Sequence, residues 1–153
     1  MIRRIFVFLV FFCFMGSSTV AQDAWYPYPV EVWDTPFDMT SSRTPMAYVP
    51  LEKASKKWHI HVFFPHMKDD YWMAANFGVA DEARRLGIQM TLHHAGGYEN
   101  LDKQIAQIKE SVGAGADGLV IGAISFDGLN DLVLEMRKKG VPVIDAVNGM
   151  SSP

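Results

Sequence analysis

Cysteine is nearly absent from this sequence of 153 residues: Cys13 is the only one, and it lies in an apolar N-terminal run. The chain beyond that run has no thiol and cannot form an internal disulfide. Its fold must therefore depend on its hydrophobic core. The bulky residues Phe11 and Phe12 directly before the cysteine also exclude a lipoprotein cleavage box.

Sequence signatures of catalysis are also missing. The chain has no G-x-S-x-G elbow, phosphate loop or H-E-x-x-H motif. Residues 113–118 spell G-A-G-A-D-G and match the spacing of a dinucleotide fingerprint, but they follow a helical pattern and precede an apolar run. The fingerprint requires the opposite order, because the pyrophosphate binds at a helix N-terminus. We interpret the segment as a helix terminator and turn, and predict neither an enzyme nor a cofactor; an enzyme on a flavodoxin-like sheet is the least supported alternative.

Five histidines raise the question of a metal site. His59 and His61 would share one face of a strand, whereas the adjacent His93 and His94 would point to opposite faces of theirs. Zinc needs three or four converging ligands. The sequence therefore predicts no metal site.

The N-terminus has the order of an export signal. Met-Ile-Arg-Arg is followed by an apolar run over residues 5–15 and by small residues that end at Ala21, as in a Sec-type signal peptide. The run is about half of the roughly 20 residues that a membrane-spanning helix needs. We predict a signal peptide over residues 1–21 and a periplasmic location. Without it, 12 basic residues face 17 acidic ones, a net charge of −5, which argues against a nucleic-acid partner.

The remaining chain divides into two parts. Residues 22–57 are rich in proline, tryptophan and tyrosine and predict an irregular N-terminal arm. Residues 58–153 alternate short apolar runs with helical periodicity, which is typical of an α/β fold with a doubly wound parallel sheet. Strands are predicted at residues 58–64, 88–93, 118–121 and 141–144, and helices at 70–86, from Asn100, and up to Gly140. The pattern stops after the fourth strand, so we expect only the N-terminal part of a first lobe.

Each predicted helix carries an apolar stripe that should face the sheet. The stripes are Met73, Phe77, Ala80 and Ala83 in the first helix; Leu101, Ile105, Ile108 and Val112 in the second; and Leu129, Leu132, Val133 and Met136 in the third.

An open parallel sheet binds ligands at the C-terminal ends of its strands. The loop after the first strand delivers Asp70, Tyr71 and Trp72, and the loop after the second delivers Tyr98. Converging aromatic rings hold alkylated ammonium groups through their negative faces. The alternative is that the first two rings pack on the rim of the sheet and Tyr98 is an ordinary turn residue. Asp145, after the fourth strand, could accept hydrogen bonds from a polyol or offset a cationic ligand; its alternative role is loop capping.

Several segments resemble the TorT-type periplasmic sensor proteins of the type I periplasmic-binding-protein superfamily. They are K-D-D-Y-W at 68–72, A-G-G-Y at 95–98 and V-I-D-A-V-N at 143–148. The resemblance implies a two-lobed protein that recognises trimethylamine N-oxide and works with a membrane sensor histidine kinase. It assigns the ligand to Trp72 and Tyr98, with Tyr71 and Asp70 beside them. A sugar-type solute-binding protein of an ABC importer is the alternative.

Proteins of this type need a second lobe and the rest of the first, so the chain is expected to be an incomplete fragment. A lone part of one lobe cannot close around a ligand. We predict that the isolated chain binds trimethylamine N-oxide weakly or not at all in calorimetry. A micromolar dissociation constant would contradict this prediction.

Overall fold

The computed structural model describes residues 26–35 and 38–151. The predicted signal peptide lies outside these residues. The strands are β1 (Tyr28–Trp33), β2 (Arg43–Tyr48), β3 (His59–Phe64), β4 (Gln89–His94), β5 (Gly118–Ile121) and β6 (Val143–Asp145); the helices are α1 (Asp70–Leu86), α2 (Leu101–Gly113) and α3 (Asn130–Lys138). All four predicted strands and three predicted helices of the α/β part are present, with boundaries shifted by no more than two residues in the strands.

The main sheet has the order β4-β3-β5-β6, and every neighbouring pair is parallel. Its register aligns the strand ends: Phe64 pairs with His94, Phe63 with Ile121, and Ile121 with Asp145. The loops that follow the four strands therefore leave from one edge of the sheet. We call this edge the carboxyl edge.

Helices cover both faces of this sheet, as the fold class predicts. Along β3 the side chains alternate: Phe63 joins a core formed with α2 and α3, whereas Val62 and Phe64 join a core formed with α1. The predicted stripes of α2 and α3 are confirmed. Ile108, Leu129 and Met136 are almost completely buried, and the other members of both stripes are buried in or packed against the same core.

The predicted stripe of α1 is wrong at three of its four positions. Met73 and Phe77 are 55% and 73% exposed, and Ala80 is exposed as well. The buried side of α1 is formed instead by Trp72, Ala75, Val79 and Ala83. This second stripe has spacings of three, four and four, so it fits a helix as well as the predicted one does. Periodicity could not choose between them; the structure buries the side with the largest ring.

The N-terminal arm is not irregular over its described part. Strands β1 and β2 form an antiparallel two-stranded sheet in which Tyr28 pairs with Tyr48 and their rings stack at 6.4 Å. At its other end the Arg43 guanidinium lies 5.5 Å from the ring of Trp33. Prolines within these strands led to the wrong prediction. Proline is tolerated in edge strands, and both strands of a two-stranded sheet are edges.

Three histidines form a cluster on the α2 side of the sheet. His61 Nδ1 lies 3.0 Å from His93 Nε2, which is 3.2 Å from the Ser111 hydroxyl of α2. His59 lies beside His61, with ring centroids 4.3 Å apart. Burial is the main cause that lowers the pKa of His61, and the neighbouring His59 and His93 lower it further. Burial also lowers the pKa of His93, although the Glu110 carboxylate opposes this shift.

This cluster predicts a loss of stability in mild acid. Because the folded-state pKa of His61 and of His93 lies below 6.5, the unfolded chain takes up protons first as pH falls. The free energy of unfolding should therefore decrease as pH falls below about 6.5. Urea denaturation between pH about 7 and about 5.5 measures this slope.

His61→Gln should flatten the slope, because it removes one buried titrating group and the repulsion on its neighbours. His94→Gln is the matched control, since His94 is exposed at the end of the same pair of strands and should leave the slope unchanged. An unaltered slope in His61→Gln would contradict the assignment.

Candidate functional site

Backbone hydrogen bonds hold the loops of the carboxyl edge together. The N–H of Gly96 donates to the Pro65 carbonyl at 2.8 Å, and that of Gly122 donates to the Phe63 carbonyl at 2.8 Å. The N–H of Ala146 donates to the Ile121 carbonyl at 2.9 Å. These bonds extend the parallel ladder beyond the strands. The side chains of four loops are therefore presented from one rigid frame.

Trp72 lies beneath this frame. Its position in α1 is set by Asp69, whose Oδ1 accepts a hydrogen bond from the Trp72 backbone N–H at 3.0 Å and caps the helix. The indole is only 2% exposed and packs on Phe64 with ring centroids 4.7 Å apart. It reaches over Gly122, where a Cβ atom would lie 2.8 Å from Trp72 Cη2. The structure thus places Trp72 at the base of the edge.

Two further aromatic rings of this edge reach solvent. Tyr71 is 58% exposed and meets the indole edge-on at 5.3 Å. Tyr98 is 49% exposed and meets the ring of His66 edge-on at 5.3 Å, and His66 in turn lies 6.4 Å from Trp72. We call Tyr71, Trp72, His66 and Tyr98 the aromatic row. The structure therefore connects the three rings that the sequence placed at this edge.

His66 is the member of the row that the sequence analysis did not single out. Its side chain is 12% exposed, so it is part of the wall. Its Nδ1 accepts a hydrogen bond from the Lys68 backbone N–H at 3.3 Å, which places the ring proton of the neutral form on Nε2. Nε2 lies 3.8 Å from Asp69 Oδ2. The only available signal was its position two residues after β3.

The two predicted acidic residues occupy different places. Asp70 is exposed in the first turn of α1, where a carboxylate stabilises the helix dipole. Asp145 ends β6, and its Oδ2 accepts a hydrogen bond from the Met150 backbone N–H at 2.6 Å. Asp145 therefore closes its own loop, in line with the capping alternative.

Asn148 joins three of the loops and was not singled out from the sequence. Its Nδ2 donates to the Ala123 carbonyl at 2.7 Å and to Tyr98 Oη at 3.3 Å. It thereby ties the loop after β6 to the loops after β5 and β4.

Gln104 fixes the loop after β5 from below. This side chain of α2 is completely buried, its Nε2 donates to the Gly122 carbonyl at 3.0 Å, and its Oε1 accepts from the Ile124 N–H at 3.0 Å. Both ends of the buried amide are satisfied, as buried polar groups require. The sequence predicted only that Gln104 lies within a helix, and not that its side chain binds the loop after β5.

An apolar groove of about 820 Å³ lies between the β1–β2 hairpin and the β6 region, and Asp145 and Asn148 of the carboxyl edge are among the residues that line it. Trp33 and Met39 line it from the hairpin side, and Ile144 and Val147 from the other. No member of the aromatic row lines it. We place the candidate site at the aromatic row, because ligands of open parallel sheets bind at the C-terminal strand ends.

Among the described residues, no group of three or more histidines and acids is arranged to hold a metal ion.

A parallel sheet covered by helices on both faces, with aromatic and polar side chains gathered at its carboxyl edge, defines the ligand-binding lobe of an α/β binding protein. The chain belongs to the periplasmic binding protein domain family, whose profile matches residues 60–152. Membership of this family indicates a periplasmic location. No helix in residues 26–35 and 38–151 is both long and apolar enough to span a membrane.

The chain is 36% identical over 110 residues to the periplasmic protein TorT of Escherichia coli K12, a match that covers 72% of this chain and 31% of TorT. It is also similar to the solved structure of an ABC transporter solute-binding protein from Bradyrhizobium sp. BTAi1 with bound Bis-Tris. There the identity is 54% and the TM-score 0.82, covering 84% of this chain and 39% of that one.

A third similarity is to the complex of the TorS sensor domain with TorT, solved without ligand and with trimethylamine N-oxide. The identity is 28% and the TM-score 0.58, covering 63% of this chain and 32% of that one. The chain spans about a third of the length of the curated relatives that it matches.

The contact between Trp72 and Gly122 predicts the effect of one added methyl group. Gly122→Ala should lower the free energy of unfolding by about 1–3 kcal/mol, because the new Cβ would overlap a buried ring that has little room to move. Urea denaturation measures the loss, and the Trp72 indole resonance should shift.

Gly78→Ala is the matched control. This glycine lies within α1, and a Cβ there would meet no heavy atom within 4 Å. Alanine should stabilise the helix by about 0.5–1 kcal/mol at this position. Equal stability of the Gly122→Ala variant and the parent would refute the close packing of Trp72.

Proposed function

We propose that this chain supplies the aromatic side of a binding site for small methylated amine oxides, with trimethylamine N-oxide as the ligand. The site would belong to a periplasmic sensor protein that signals through a membrane sensor histidine kinase. The observation that carries the proposal is the aromatic row: Tyr71 and Tyr98 offer exposed rings at the carboxyl edge, and Trp72 and His66 connect them.

The chemistry of the ligand fits these groups. Its nitrogen carries three methyl groups and a formal positive charge, which the negative faces of aromatic rings attract. Its oxygen is a strong hydrogen-bond acceptor, and the hydroxyl of Tyr98 is a donor at the same edge. The exposed carboxylate of Asp70, next to Tyr71, adds negative charge near the nitrogen.

The similarities support the same ligand class. TorT, 36% identical over the matched part, has been solved with the TorS sensor domain in the presence of trimethylamine N-oxide. The structure from Bradyrhizobium contains Bis-Tris, a tertiary amine that also carries five hydroxyl groups, so it is compatible with both an amine and a polyol ligand. The association with trimethylamine N-oxide is therefore the one that points to an alkylated nitrogen.

The second candidate is a solute-binding protein of an ABC importer that takes up a sugar or another polyol. The 54% identity to an ABC transporter solute-binding protein favours it. Polyol recognition needs carboxylate and amide groups that are free to bind hydroxyls. At this edge, however, Asp145 and Asn148 are engaged with the backbone and with Tyr98. The exposed carboxylate of Asp70 remains open to either kind of ligand, and the exposed rings of Tyr71 and Tyr98 favour the first candidate.

Titration of the isotopically labelled chain distinguishes the two candidates, since NMR detects millimolar binding. Trimethylamine N-oxide should shift the resonances of Tyr71 and Tyr98, and D-glucose should not. Tyr98→Leu should remove at least half of the binding free energy that the titration measures. Tyr48→Leu, which truncates a tyrosine of similar exposure in the hairpin, should bind like the parent. Stronger shifts with D-glucose, or full binding by Tyr98→Leu, would overturn the proposal.

A further inference from the structure

We propose that Asn148 sets the ligand preference of the carboxyl edge by holding the hydroxyl of Tyr98 as a hydrogen-bond donor. This inference rests on the proposed function and adds a positioning residue that selects ligands with an acceptor oxygen. Its basis is the pair of hydrogen bonds that Asn148 makes across three loops.

The orientation of the Asn148 amide follows from its partner. The Ala123 carbonyl, 2.7 Å away, can only accept a hydrogen bond, so the NH₂ group and not the oxygen must face it. The same nitrogen lies 3.3 Å from Tyr98 Oη. One amide hydrogen therefore serves the carbonyl and the other serves the phenol.

This arrangement determines the role of the Tyr98 hydroxyl in its hydrogen bond with Asn148. An amide NH₂ group cannot accept a hydrogen bond, so the phenol oxygen accepts and keeps its own proton. Among the described residues, Tyr98 Oη has no other hydrogen-bond partner. Its O–H is therefore available to a ligand, and it suits the oxygen of an N-oxide. A trimethylated cation without oxygen would contact the aromatic rings but could not accept a hydrogen bond from the Tyr98 hydroxyl.

The turn that carries Asn148 is strained. Val147 has a φ of +74°, a conformation that a β-branched residue rarely adopts. The backbone N–H of Asn148 donates to the Ala146 carbonyl at 2.9 Å and closes a three-residue turn around it. Such strain persists only where the surroundings impose it, and it is common at ligand sites.

Two contacts impose the turn on Val147. On one side, Ala146 is tied to Ile121 of β5 by its backbone N–H. On the other side, the Asp145 carboxylate accepts from the N–H of Met150, whose side chain is buried against α3 and its core. Asp145 thus acts on the site through the loop that presents Asn148.

The test compares two ligands that share methyl groups on a positive nitrogen, trimethylamine N-oxide and tetramethylammonium. The measured quantity is the ratio of their dissociation constants, obtained by NMR titration of the full chain. The parent should prefer the N-oxide. In Asn148→Asp the new carboxylate accepts the Tyr98 proton, so the preference should fall by at least about tenfold, the lower end of what a hydrogen bond to a charged acceptor contributes.

Asn100→Asp is the control for charge. Asn100 also donates its amide to a loop carbonyl, that of Ala95 at 3.3 Å, and to Glu99 Oε1 at 3.4 Å; among the described residues it makes no hydrogen bond to Tyr98. The substitution adds the same negative charge at the same edge and should change the ratio much less. An equal change in both variants would overturn the inference, because the effect would then be general electrostatics.

Tyr98→Phe tests the route of the effect. In the double variant Tyr98→Phe with Asn148→Asp, the preference for the N-oxide should be no lower than in Tyr98→Phe alone, since the hydroxyl is already gone. If Asn148→Asp lowers the preference by the same factor in the Tyr98→Phe background as in the parent, Asn148 does not act through the Tyr98 hydroxyl. If Asn148→Asp does not fold, Val147→Gly takes its place: glycine samples more backbone conformations than valine, so the turn should hold Asn148 less firmly and the preference should fall.

The outcomes separate the two proposals. If D-glucose shifts the resonances of Tyr71 and Tyr98 and neither methylated ligand does, the proposed function fails and this inference with it. If the parent binds with a preference that neither Asn148→Asp nor Val147→Gly changes, the inference alone is wrong.

Discussion

The indole of Trp72 fills the space between Phe64 and the backbone of Gly122, and the carboxyl edge is built on that contact. A ring of this size anchors the start of α1 to the ends of two neighbouring strands. The same burial leaves Tyr71 exposed beside it and places His66 against it. The absence of a side chain at Gly122 is what allows the close approach, so this glycine is a requirement of the site as well as of the sheet.

A second layer of constraints joins the loops. Gln104 satisfies two backbone groups after β5 from within the core, and Asn148 ties the same loop to Tyr98 from above. The two amides use different chemistry for the same purpose. One is completely buried and satisfied by the backbone, whereas the other shares its second hydrogen with an exposed phenol. Binding residues on loops held in this way need little ordering when a ligand arrives.

Much of the fold could be predicted from the pattern of apolar residues. Strand β5 was predicted with its observed bounds because a short, wholly apolar run has few other interpretations. Gly87 ends α1 in the left-handed conformation that glycine commonly adopts just after a helix. The buried side of α1 could not be predicted, because the helix has apolar residues around more than one face. The hairpin was missed because prolines were read as breakers, although its strands are edges.

The location of the candidate site was predictable in part, because it follows from the predicted strands. Parallel strands bring their C-terminal ends to one edge, so Tyr71, Trp72 and Tyr98 could be assigned to a common place from their positions after strands. Burial of Trp72 depends on the rotation of α1, and the contacts of Asn148 depend on a backbone conformation that a valine rarely adopts. Neither leaves a signal in a single sequence. Asp145 shows the limit of sequence-based prediction most clearly. Its position at the end of a strand is as predicted, whereas its hydrogen bond is to the backbone of its own loop.

The most direct test of the account is the location of the bound ligand. Intermolecular nuclear Overhauser effects between the methyl protons of trimethylamine N-oxide and the labelled chain report contacts within about 5 Å, a range that separates neighbouring side chains from distant ones. We expect contacts to the ring protons of Tyr71 and Tyr98. Contacts to Trp33 and Met39 in the groove beneath the hairpin, without contacts to those tyrosines, would contradict it.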